Sequence, residues 1–501
     1  MTTDPKMNLT LGRKEPKKTK ADEKHEAIDK WFELISAKVK LWHTTDDTTY
    51  ADIREKDSFV TVPIRSGRFE RLVRSVIAQD VKVPATNIVD AFIASFESLA
   101  LGGECKDIVI RKGTSSGQVV LDMADPDGRA VVCTPSGWQI TPKPPVRFFR
   151  PLGTGSLAAP QPGGNLDLLR KYVRVTNDRE YYLLLGWLLG CYNPHESYPI
   201  LILNGEQGSS KSTLTSIMRR LIDPHSSSSF QPPREDRELR AYVKNSFLLP
   251  FDNVSTIQQW FSDDLCRIAT GSSALTTRTL YTTAELTSIK AVRPTILNGI
   301  PDFVERGDLM DRCIQITLPV IPKDQRKTED AFWAEFEKDY PLILGAIYDT
   351  VCFGLGQPSV KYAEFPRMAD WAEWICRVCP KWGQTPEQFL DCYWRSKNKA
   401  EILLIQHNAF ADALLQFLES NPNHTWQGNV KQLRNAMAHL APVNQEQVGW
   451  PIKDLSMTNE IKRISPLLRN VGIEHSTYTE GRYIKHAFFK KFGKVLTSAT
   501  P

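Results

Sequence analysis

The sequence has no stretch that approaches the roughly 20 uninterrupted apolar residues of a membrane span. Its basic start also has no apolar core of the kind that a secretory signal contains. We therefore expect a cytoplasmic protein with no membrane contact. Its nine cysteines are scattered among apolar neighbours, which is typical of buried reduced thiols rather than of a disulfide framework. Neither charge sign dominates: 63 Lys and Arg against 58 Asp and Glu give a net charge of +5, which permits a nucleic-acid partner without requiring one.

The 501 residues exceed what one compact core accommodates, and the composition divides the chain. Residues 1–28 are polar and lysine-rich, which predicts a disordered basic arm. In residues 29–150 a helical pattern gives way to alternating segments separated by turn residues, which predicts a small α+β domain whose role stays open. The stretch 151–165, PLGTGSLAAPQPGGN, is rich in Gly and Pro and predicts a linker between folded units.

An apolar run over residues 198–204 is followed at once by a Gly- and Ser-rich loop and then by an amphipathic pattern. Strand, loop and helix in this order are typical of a Walker A phosphate loop, in which Lys211 reaches the β and γ phosphates and Ser212 binds Mg²⁺. Ser210 stands where the motif has its second Gly, and a serine fits there if its φ is negative. The alternative is a polar turn between strand and helix. The predicted ATP contacts are Gly205, Glu206, Gln207, Gly208, Ser209, Ser210, Lys211, Ser212 and Thr213.

A second apolar run, FLLPF, ends in Asp252 and Asn253. A buried strand that delivers one carboxylate to the sheet edge beside a phosphate loop is what a Walker B site needs to hold Mg²⁺. A strand followed by an Asp-Asn turn has the same pattern. Asn253 takes the place of a second acid. Because an amide orients water but cannot accept its proton, we expect hydrolysis that is slow or that is served by another carboxylate.

Two further polar residues adjoin apolar strand patterns. Asn298 ends the run RPTILN and would orient water at the γ phosphate; an Asn-Gly turn is the alternative. Arg312 directly precedes the run CIQITLPVI, from where an arginine finger would reach the nucleotide of a neighbouring subunit, with Arg306 as the second candidate. A surface arginine paired with Asp308 or Asp311 explains the same pattern.

Four segments follow the phosphate loop in a fixed order: FDN, TTRTLYTTAELTSIK, RPTILNGIPD and DLMDRCIQITLP. With this order of motifs, residues 166–350 resemble the helicase domain of superfamily 3 AAA+ proteins of phages, plasmids and mobile elements. The resemblance implies a P-loop AAA+ core with a five-stranded parallel sheet and helices on both faces. It also implies a hexameric ring with ATP sites between subunits, and a DNA-translocating hairpin, here residues 276–291. Arg278, Tyr281 and Lys290 are the predicted DNA contacts of the hairpin. A Thr-rich hairpin that only packs on the sheet is the alternative.

The chain after the predicted ATPase domain, residues 166–322, divides again. Residues 323–405 have helical periodicity and predict a lid or linker bundle. Residues 406–501 predict a winged-helix DNA-binding domain, with eleven Lys and Arg against five acids from residue 430 on. The predicted DNA contacts there are Lys462, Arg463, Arg469, Arg482 and Lys485. A winged helix used for protein contacts inside the ring is the alternative.

The sequence thus predicts an α/β protein: a P-loop AAA+ ATPase core, preceded by a small α+β domain and followed by a helical region and a winged helix. The predicted function is an ATP- and Mg²⁺-dependent DNA helicase or translocase in the replication of a mobile element or phage. We expect it to form a hexameric ring on single-stranded or forked DNA. The alternative is an ATP-binding, weakly hydrolysing DNA-docking or regulatory protein, which the departures at Ser210 and Asn253 favour.

Overall fold

The computed structural model describes residues 20–55, 58–271, 275–278, 286–289, 291–299, 307–362, 364–442, 444–445, 450–481 and 483–490. The chain divides into two units, Met1–Val109 with Arg147–Phe149, and Ile110–Val146 with Arg150–Pro501. None of the helices in the described ranges combines the length and the apolar character that crossing a bilayer requires.

The strands, in chain order, are β1 (Val39–His43), β2 (Thr49–Glu55), β3 (Ser58–Pro63), β4 (Glu104–Cys105), β5 (Ile108–Val109), β6 (Lys112–Ser115), β7 (Gln118–Asp122), β8 (Ala130–Thr134), β9 (Gly137–Thr141), β10 (Arg147–Phe148), β11 (Ile200–Asn204), β12 (Leu249–Val254), β13 (Leu275–Arg278), β14 (Leu286–Ile289), β15 (Thr295–Gly299), β16 (Cys313–Thr317), β17 (Thr425–Asn429), β18 (Ile473–Glu480) and β19 (Tyr483–Lys490). The helices are α1 (Lys20–Ser36), α2 (Gly67–Ile77), α3 (Thr86–Leu101), α4 (Asp178–Gly190), α5 (Lys211–Ile222), α6 (Asp236–Asn245), α7 (Gln259–Thr270), α8 (Gly307–Met310), α9 (Glu329–Gly356), α10 (Ala369–Val378), α11 (Pro386–His407), α12 (Ala409–Ser420), α13 (Val430–Ala436) and α14 (Asp454–Asn470).

The first unit holds a sheet of order β3-β2-β1-β4, in which β1, β2 and β3 form an antiparallel meander and β4 lies parallel to β1. Helices α1, α2 and α3 cover one face, because alternate strand residues such as Ile53, Val60 and Val62 share a core with them. Residues 147–149 return to this unit, where β10 pairs with β5.

Helix α1 begins at Lys20, so the last residues of the expected disordered arm are helical, and residues 1–19 lie outside the described residues. The physical reason is packing: Ile28, Trp31 and Ile35 recur at helical spacing and contact the core of the first unit. The Nε1 of Trp31 also donates to Asp80 Oδ2 at 2.8 Å, which attaches α1 to the chain that follows α2.

The antiparallel meander β6-β7-β8-β9 belongs to the second unit rather than to the first. It packs on α9: Trp138 donates from Nε1 to Asp349 Oδ1 at 2.8 Å, and the rings of Trp138 and Tyr348 lie edge to face. The chain therefore passes from the first unit to the second near residue 110, and not in the stretch 151–165 where its Gly and Pro content placed the boundary.

The Gly- and Pro-rich stretch 151–165 is itself packed against α9. Gln161 N donates to Pro341 O at 2.9 Å. At Gly164 a Cβ would lie 1.9 Å from Leu342 O, so the stretch crosses α9 at a separation that only glycine permits. The segment that composition describes as a flexible linker is held in place by main-chain contacts.

The central sheet of the second unit has the order β12-β15-β11-β16, and every neighbouring pair is parallel. Its strands are near-continuous apolar runs because they are buried on both faces. The resemblance implied five parallel strands, whereas the described residues form four. Phe230 adds one parallel bridge to Phe251, on the outer side of β12. The antiparallel pair of β13 and β14 directly precedes β15 in the chain.

The C-terminal part of the second unit is a three-stranded sheet of order β17-β19-β18 with antiparallel pairs. Helices α12, α13 and α14 pack on it around a core that includes Leu414, Leu433, Ile461 and Phe488. Between the central sheet and this sheet the chain is mainly helical, in α9, α10 and α11.

Candidate functional site

The Gly- and Ser-rich loop connects β11 to α5 at the carboxyl edge of the central sheet. Strand β11 ends at Asn204 between β15 and β16, and α5 begins at Lys211. At Gly205 a Cβ would lie 2.5 Å from Ser209 Oγ and 2.8 Å from Leu318 O, so only glycine fits. The loop therefore makes a tight turn between a buried strand and the first turn of a helix, which is the placement that phosphate binding needs.

The Lys211 ammonium lies over this loop. Its Nζ donates to Gly205 O at 2.6 Å and to Glu206 O at 3.0 Å. Neutral carbonyls are weaker partners for an ammonium than a phosphate oxygen, because hydrogen bonds between two charged groups are the stronger kind. The lysine is thus positioned to exchange these carbonyls for an anionic ligand.

Ser210 has φ +63° and ψ 27°, a left-handed conformation, so the expectation that a serine needs a negative φ here is wrong. The Walker A motif has glycine at this position, and glycine adopts a positive φ without strain. For a residue other than glycine, the left-handed conformation is less favourable than the right-handed one by about 1–2 kcal/mol. Ser210 therefore adopts the backbone conformation that glycine has in a Walker A loop, and this strain lowers the stability of the fold.

Asp252 and Ser212 come together beside the loop. Ser212 Oγ donates to Asp252 Oδ2 at 3.3 Å, and Asn253 N donates to Asp252 Oδ1 at 2.8 Å. A hydroxyl and a carboxylate are the oxygen ligands that suit Mg²⁺. Asn253 is exposed at φ +59°, where the register of β12 with β15 is irregular between Phe251 and Val254. Its amide therefore lies in a bulge at the strand end rather than at a regular strand position.

Asn298 is buried on β15 beside Leu203 of β11, with 1% of its surface exposed. Within the described part of the chain, its Nδ2 has no hydrogen-bond partner, and neither has Asn204 Oδ1 at the end of β11. A buried polar atom left without a partner costs about 1–3 kcal/mol. Two such atoms on neighbouring strands next to the phosphate loop indicate a site for a polar ligand.

Arg312 lies at the opposite, amino edge of the central sheet, where its carbonyl accepts from Ile200 N at 2.9 Å. Strand β16 separates it from the loop edge by about 16 Å, so Arg312 does not reach the loop of its own chain. Its Nη1 donates to Asp308 Oδ1 at 2.6 Å, and 11% of its side chain is exposed. Within one chain, Arg312 thus forms the ion pair that was the alternative to an arginine finger. Arg306 lies outside the described residues.

Further ion pairs surround Arg312. Arg367 Nη2 lies 3.4 Å from Asp308 Oδ1, and Lys397 Nζ lies 2.9 Å from Asp311 Oδ1. Burial acts to raise the pKa of Asp308, but its interactions with Arg312 and Arg367 outweigh burial and lower that pKa below the ordinary value. The three cations and two carboxylates at this edge are therefore all engaged in ion pairs.

Arg326 is a candidate that the sequence analysis missed. Its Nη2 lies 3.6 Å from where a Cβ would stand on Gly208 in the phosphate loop, and its Nε donates to Ile321 O at 3.4 Å. Ile321 N donates in turn to Gly208 O at 3.4 Å, so the chain after β16 is attached to the loop. Arg326 is exposed and has no carboxylate partner among the residues that the structure describes. No local motif marks it, because its position depends on this tertiary attachment.

A cavity of about 570 Å³ lies beside the end of β16. Thr176 Oγ1 donates to Thr317 O at 3.0 Å, which fixes one wall of the cavity against the strand. The cavity is open to solvent, and its walls are as polar as they are apolar, with the charged residues Arg170 and Asp178 among them. The walls include Val173, Arg174, Val175, Asn177, Tyr181 and Pro319.

The predicted DNA contacts of the hairpin are only partly described. Arg278 closes β13, which pairs with β14 in the antiparallel register that a hairpin requires. Tyr281 and Lys290 lie outside the described residues.

The predicted DNA contacts of the C-terminal region differ in their partners. Arg463 Nη2 bonds Glu460 Oε1 at 2.6 Å, Arg469 Nε lies 3.5 Å from Glu474 Oε2, and Lys485 pairs with Glu480. Lys462 is exposed on α14 and has no ion pair within the described ranges. Arg482 lies outside them. Binding of DNA through the three paired cations would therefore require phosphates to compete with acids.

Comparisons with known proteins give a family. A model described as the actinomycete integrative conjugative element replication protein matches residues 166–394, and a model of the C-terminal domain of that protein, RepA, matches residues 410–491. No curated protein matches the sequence. Among solved structures, the A-form apo structure of the NrS-1 C-terminal region is 12% identical with a TM-score of 0.40, and the match covers 92% of this chain and 98% of that chain. A structure of JCV helicase is 14% identical with a TM-score of 0.22, and the match covers 41% of this chain and 62% of that chain.

The two family matches lie in chain order, describe parts of one kind of protein, and together take in more than half of the chain. The first includes the phosphate loop, Asp252 and Asn298, and the second includes the C-terminal sheet. The chain therefore belongs to the family of replication proteins of actinomycete integrative conjugative elements.

Proposed function

We propose that the protein is an ATP-dependent DNA helicase or translocase that acts in the cytoplasm in the replication of its mobile element. The observation that carries the proposal is the meeting of the phosphate-type loop with the Ser212–Asp252 oxygen pair at the carboxyl edge of a parallel sheet. Membership of a replication-protein family supports DNA as the second partner.

In this proposal the loop binds ATP through its main-chain N–H groups and Lys211. Ser212 and Asp252 would hold Mg²⁺, which neutralises phosphate charge when it is bound. Asn298 orients the attacking water with its amide. Arg326 adds a second cation from the same chain, and the cavity beside β16 takes the nucleoside.

The strand order supports an AAA+ core. The strand before the phosphate loop, β11, lies between β15 and β16, and the Asp252 strand, β12, lies beyond β15. The Phe230 bridge occupies a fifth position next to β12. In this proposal the protein forms a hexameric ring, in which Arg312, too far from its own loop, would contact the nucleotide of a neighbouring subunit after it leaves Asp308.

The order of the C-terminal elements supports a winged helix. Helix α12, strand β17, helices α13 and α14, and the hairpin β18–β19 follow one another, with β19 in the middle of the sheet. In this proposal α14 carries Lys462, Arg463 and Arg469 to the DNA. Arg482 and Lys485 contact DNA from the wing, and Arg278, Tyr281 and Lys290 contact it from the hairpin of the ATPase core.

A second function is favoured by one observation. Asn253 is an exposed amide where a second carboxylate is expected, and it cannot accept the proton of the attacking water. An ATP-binding protein that docks on DNA but hydrolyses slowly has the same loop, the same magnesium ligands and the same C-terminal region.

The experiment that separates these functions measures ATP hydrolysis, with and without forked DNA, and strand separation. Wild-type protein is expected to hydrolyse ATP faster with DNA and to separate strands. Lys211→Ala is expected to lose both activities by about 100-fold or more, because it loses charge stabilisation at the phosphates. Lys244→Ala, which removes an exposed lysine on α6, is the matched control. Undiminished activity of Lys211→Ala contradicts both functions, whereas tight ATP binding without turnover or strand separation selects the second.

A further inference from the structure

We infer that an exposed part of the sheet in the first unit binds single-stranded DNA. The helices cover one face of the β3-β2-β1-β4 sheet, and residues 147–149 cover only part of the other. In the covered part, Arg147 Nε bonds Asp52 Oδ2 at 2.7 Å, and the rings of Tyr50 and Phe149 lie edge to face with centroids 6.5 Å apart. The other end of the same face is exposed to solvent.

Three residues form a row across this exposed end, and we name it the Phe59 row: Phe59, Arg54 and Lys38. Phe59 on β3 is in register with Arg54 on β2, and Arg54 N donates to Lys38 O at 3.0 Å, directly before β1. Because alternate residues share a face, Arg54 and Phe59 lie on the same face as Asp52 and Thr61. Phe59 is 51% exposed, and Arg54 and Lys38 are exposed as well.

The cations of the Phe59 row have no carboxylate partner among the residues that the structure describes. Neither Arg54 nor Lys38 forms an ion pair with any residue in the described ranges. Asp52, one step along the same face, is buried and already accepts from Arg147 Nε. The row therefore presents two positive charges beside an aromatic ring, and with a strand spacing of about 4.8 Å it extends across about 10 Å.

This combination fits a single strand better than a duplex. Unpaired bases stack on an exposed aromatic ring while the phosphates contact neighbouring cations, whereas a duplex keeps its bases stacked on one another. One exposed phenylalanine is ordinary on a protein surface, so the inference depends on the place of Phe59 beside Arg54 and Lys38. The replication-protein family makes DNA the nucleic acid.

The test is the binding of dye-labelled oligo(dT) to the full chain without nucleotide, followed by fluorescence anisotropy. Phe59→Ala is expected to weaken binding by about 5- to 150-fold, the fold-change of one lost base–aromatic stack. Phe59→Trp is expected to retain binding, because a larger ring still stacks. Arg54→Ala and Lys38→Ala are each expected to reduce the slope of log affinity against log salt by about 0.7.

Leu99→Ala is the matched control, because Leu99 is 50% exposed on α3 of the same unit and lies outside the Phe59 row. It is expected to bind oligo(dT) as wild type does. Because the assay contains no nucleotide, its outcome does not depend on whether the proposed ATP site binds or hydrolyses ATP. Wild-type affinity of the double variant Phe59→Ala/Arg54→Ala overturns the inference. A double variant that changes only its oligomeric state overturns it too, and identifies the row as a protein contact.

Discussion

The two edges of the central sheet hold their cations differently. At the carboxyl edge, Lys211 and Arg326 bond to main-chain carbonyls, whereas at the amino edge Arg312 is paired with the Asp308 carboxylate. A cation held by carbonyls gains a charge-assisted bond when a phosphate arrives, but a cation already paired with an acid gains much less. The difference favours an anionic ligand at the carboxyl edge, whereas in the proposed ring Arg312 would reach a nucleotide only after it leaves Asp308.

The largest expected effect comes from the amino edge. Arg312→Ala is expected to lower the turnover number of ATP hydrolysis by about 1000-fold, the low end for loss of an arginine finger, while the ATP dissociation constant stays close to that of wild type. Turnover is measured with saturating ATP and DNA, and binding with a fluorescent ATP analogue. Arg367→Ala is the control, because Arg367 contacts the same Asp308 carboxylate from outside the proposed finger position.

Mixing the variants makes this prediction sharper. A subunit with Lys211→Ala still carries Arg312, and a subunit with Arg312→Ala still carries an intact loop, so mixed rings are expected to recover part of the hydrolysis that each variant lacks alone. If Arg312→Ala and Arg367→Ala behave alike and mixing restores nothing, then the pair with Asp308 is structural. Arg312 would then have no role in ATP hydrolysis, and the two edges would differ only in how their cations are paired.

A smaller effect is expected at the carboxyl edge. Arg326→Ala is expected to weaken ATP binding by about tenfold and ADP binding by less, because a hydrogen bond to a charged group contributes about 1.5–3 kcal/mol. Arg326→Lys is expected to restore part of the ATP affinity, since it keeps the charge but not the planar fork.

The matched control for Arg326 is Lys323→Ala, which removes an exposed cation from the same segment. Equal losses for ATP and ADP in the Arg326→Ala variant contradict a contact with the terminal phosphate. A loss that Lys323→Ala reproduces indicates a general effect of charge.

The strands of the candidate site could be predicted from the sequence because each is a short apolar run with a candidate polar residue at or near its end. Parallel strands present their carboxyl ends at one edge, and for this reason Ser212 and Asp252 meet although they lie far apart in the chain. The position of Arg326 could not be predicted, because it depends on the contact between Ile321 and Gly208 after the sheet has formed.

The sequence also does not show to which of the two units the meander β6-β7-β8-β9 belongs. The turn pattern of β6 to β9 predicts hairpins, but nothing local shows that Trp138 packs against Tyr348 on α9. Composition places a boundary in residues 151–165 because Gly and Pro are typical of linkers. In this chain Gly164 instead permits a close crossing of α9, and only the folded chain distinguishes the two uses of glycine.

The smallest expected effect concerns the conformation of the carboxyl-edge loop. Ser210→Gly is expected to raise the free energy of unfolding by about 0.5–1 kcal/mol, because glycine adopts φ +63° without the strain that a side chain brings. Ser210→Val is expected to lower it, since a branched side chain is less tolerant of a positive φ. Urea unfolding followed by circular dichroism gives the order of stabilities. Ser216→Gly, at a half-buried position within α5, is a control that should be destabilising. If Ser210→Gly also unfolds more readily than wild type, the Ser210 hydroxyl stabilises the loop by more than the strain costs. The departure from the Walker A pattern would then be a stabilising feature of this loop rather than a tolerated one.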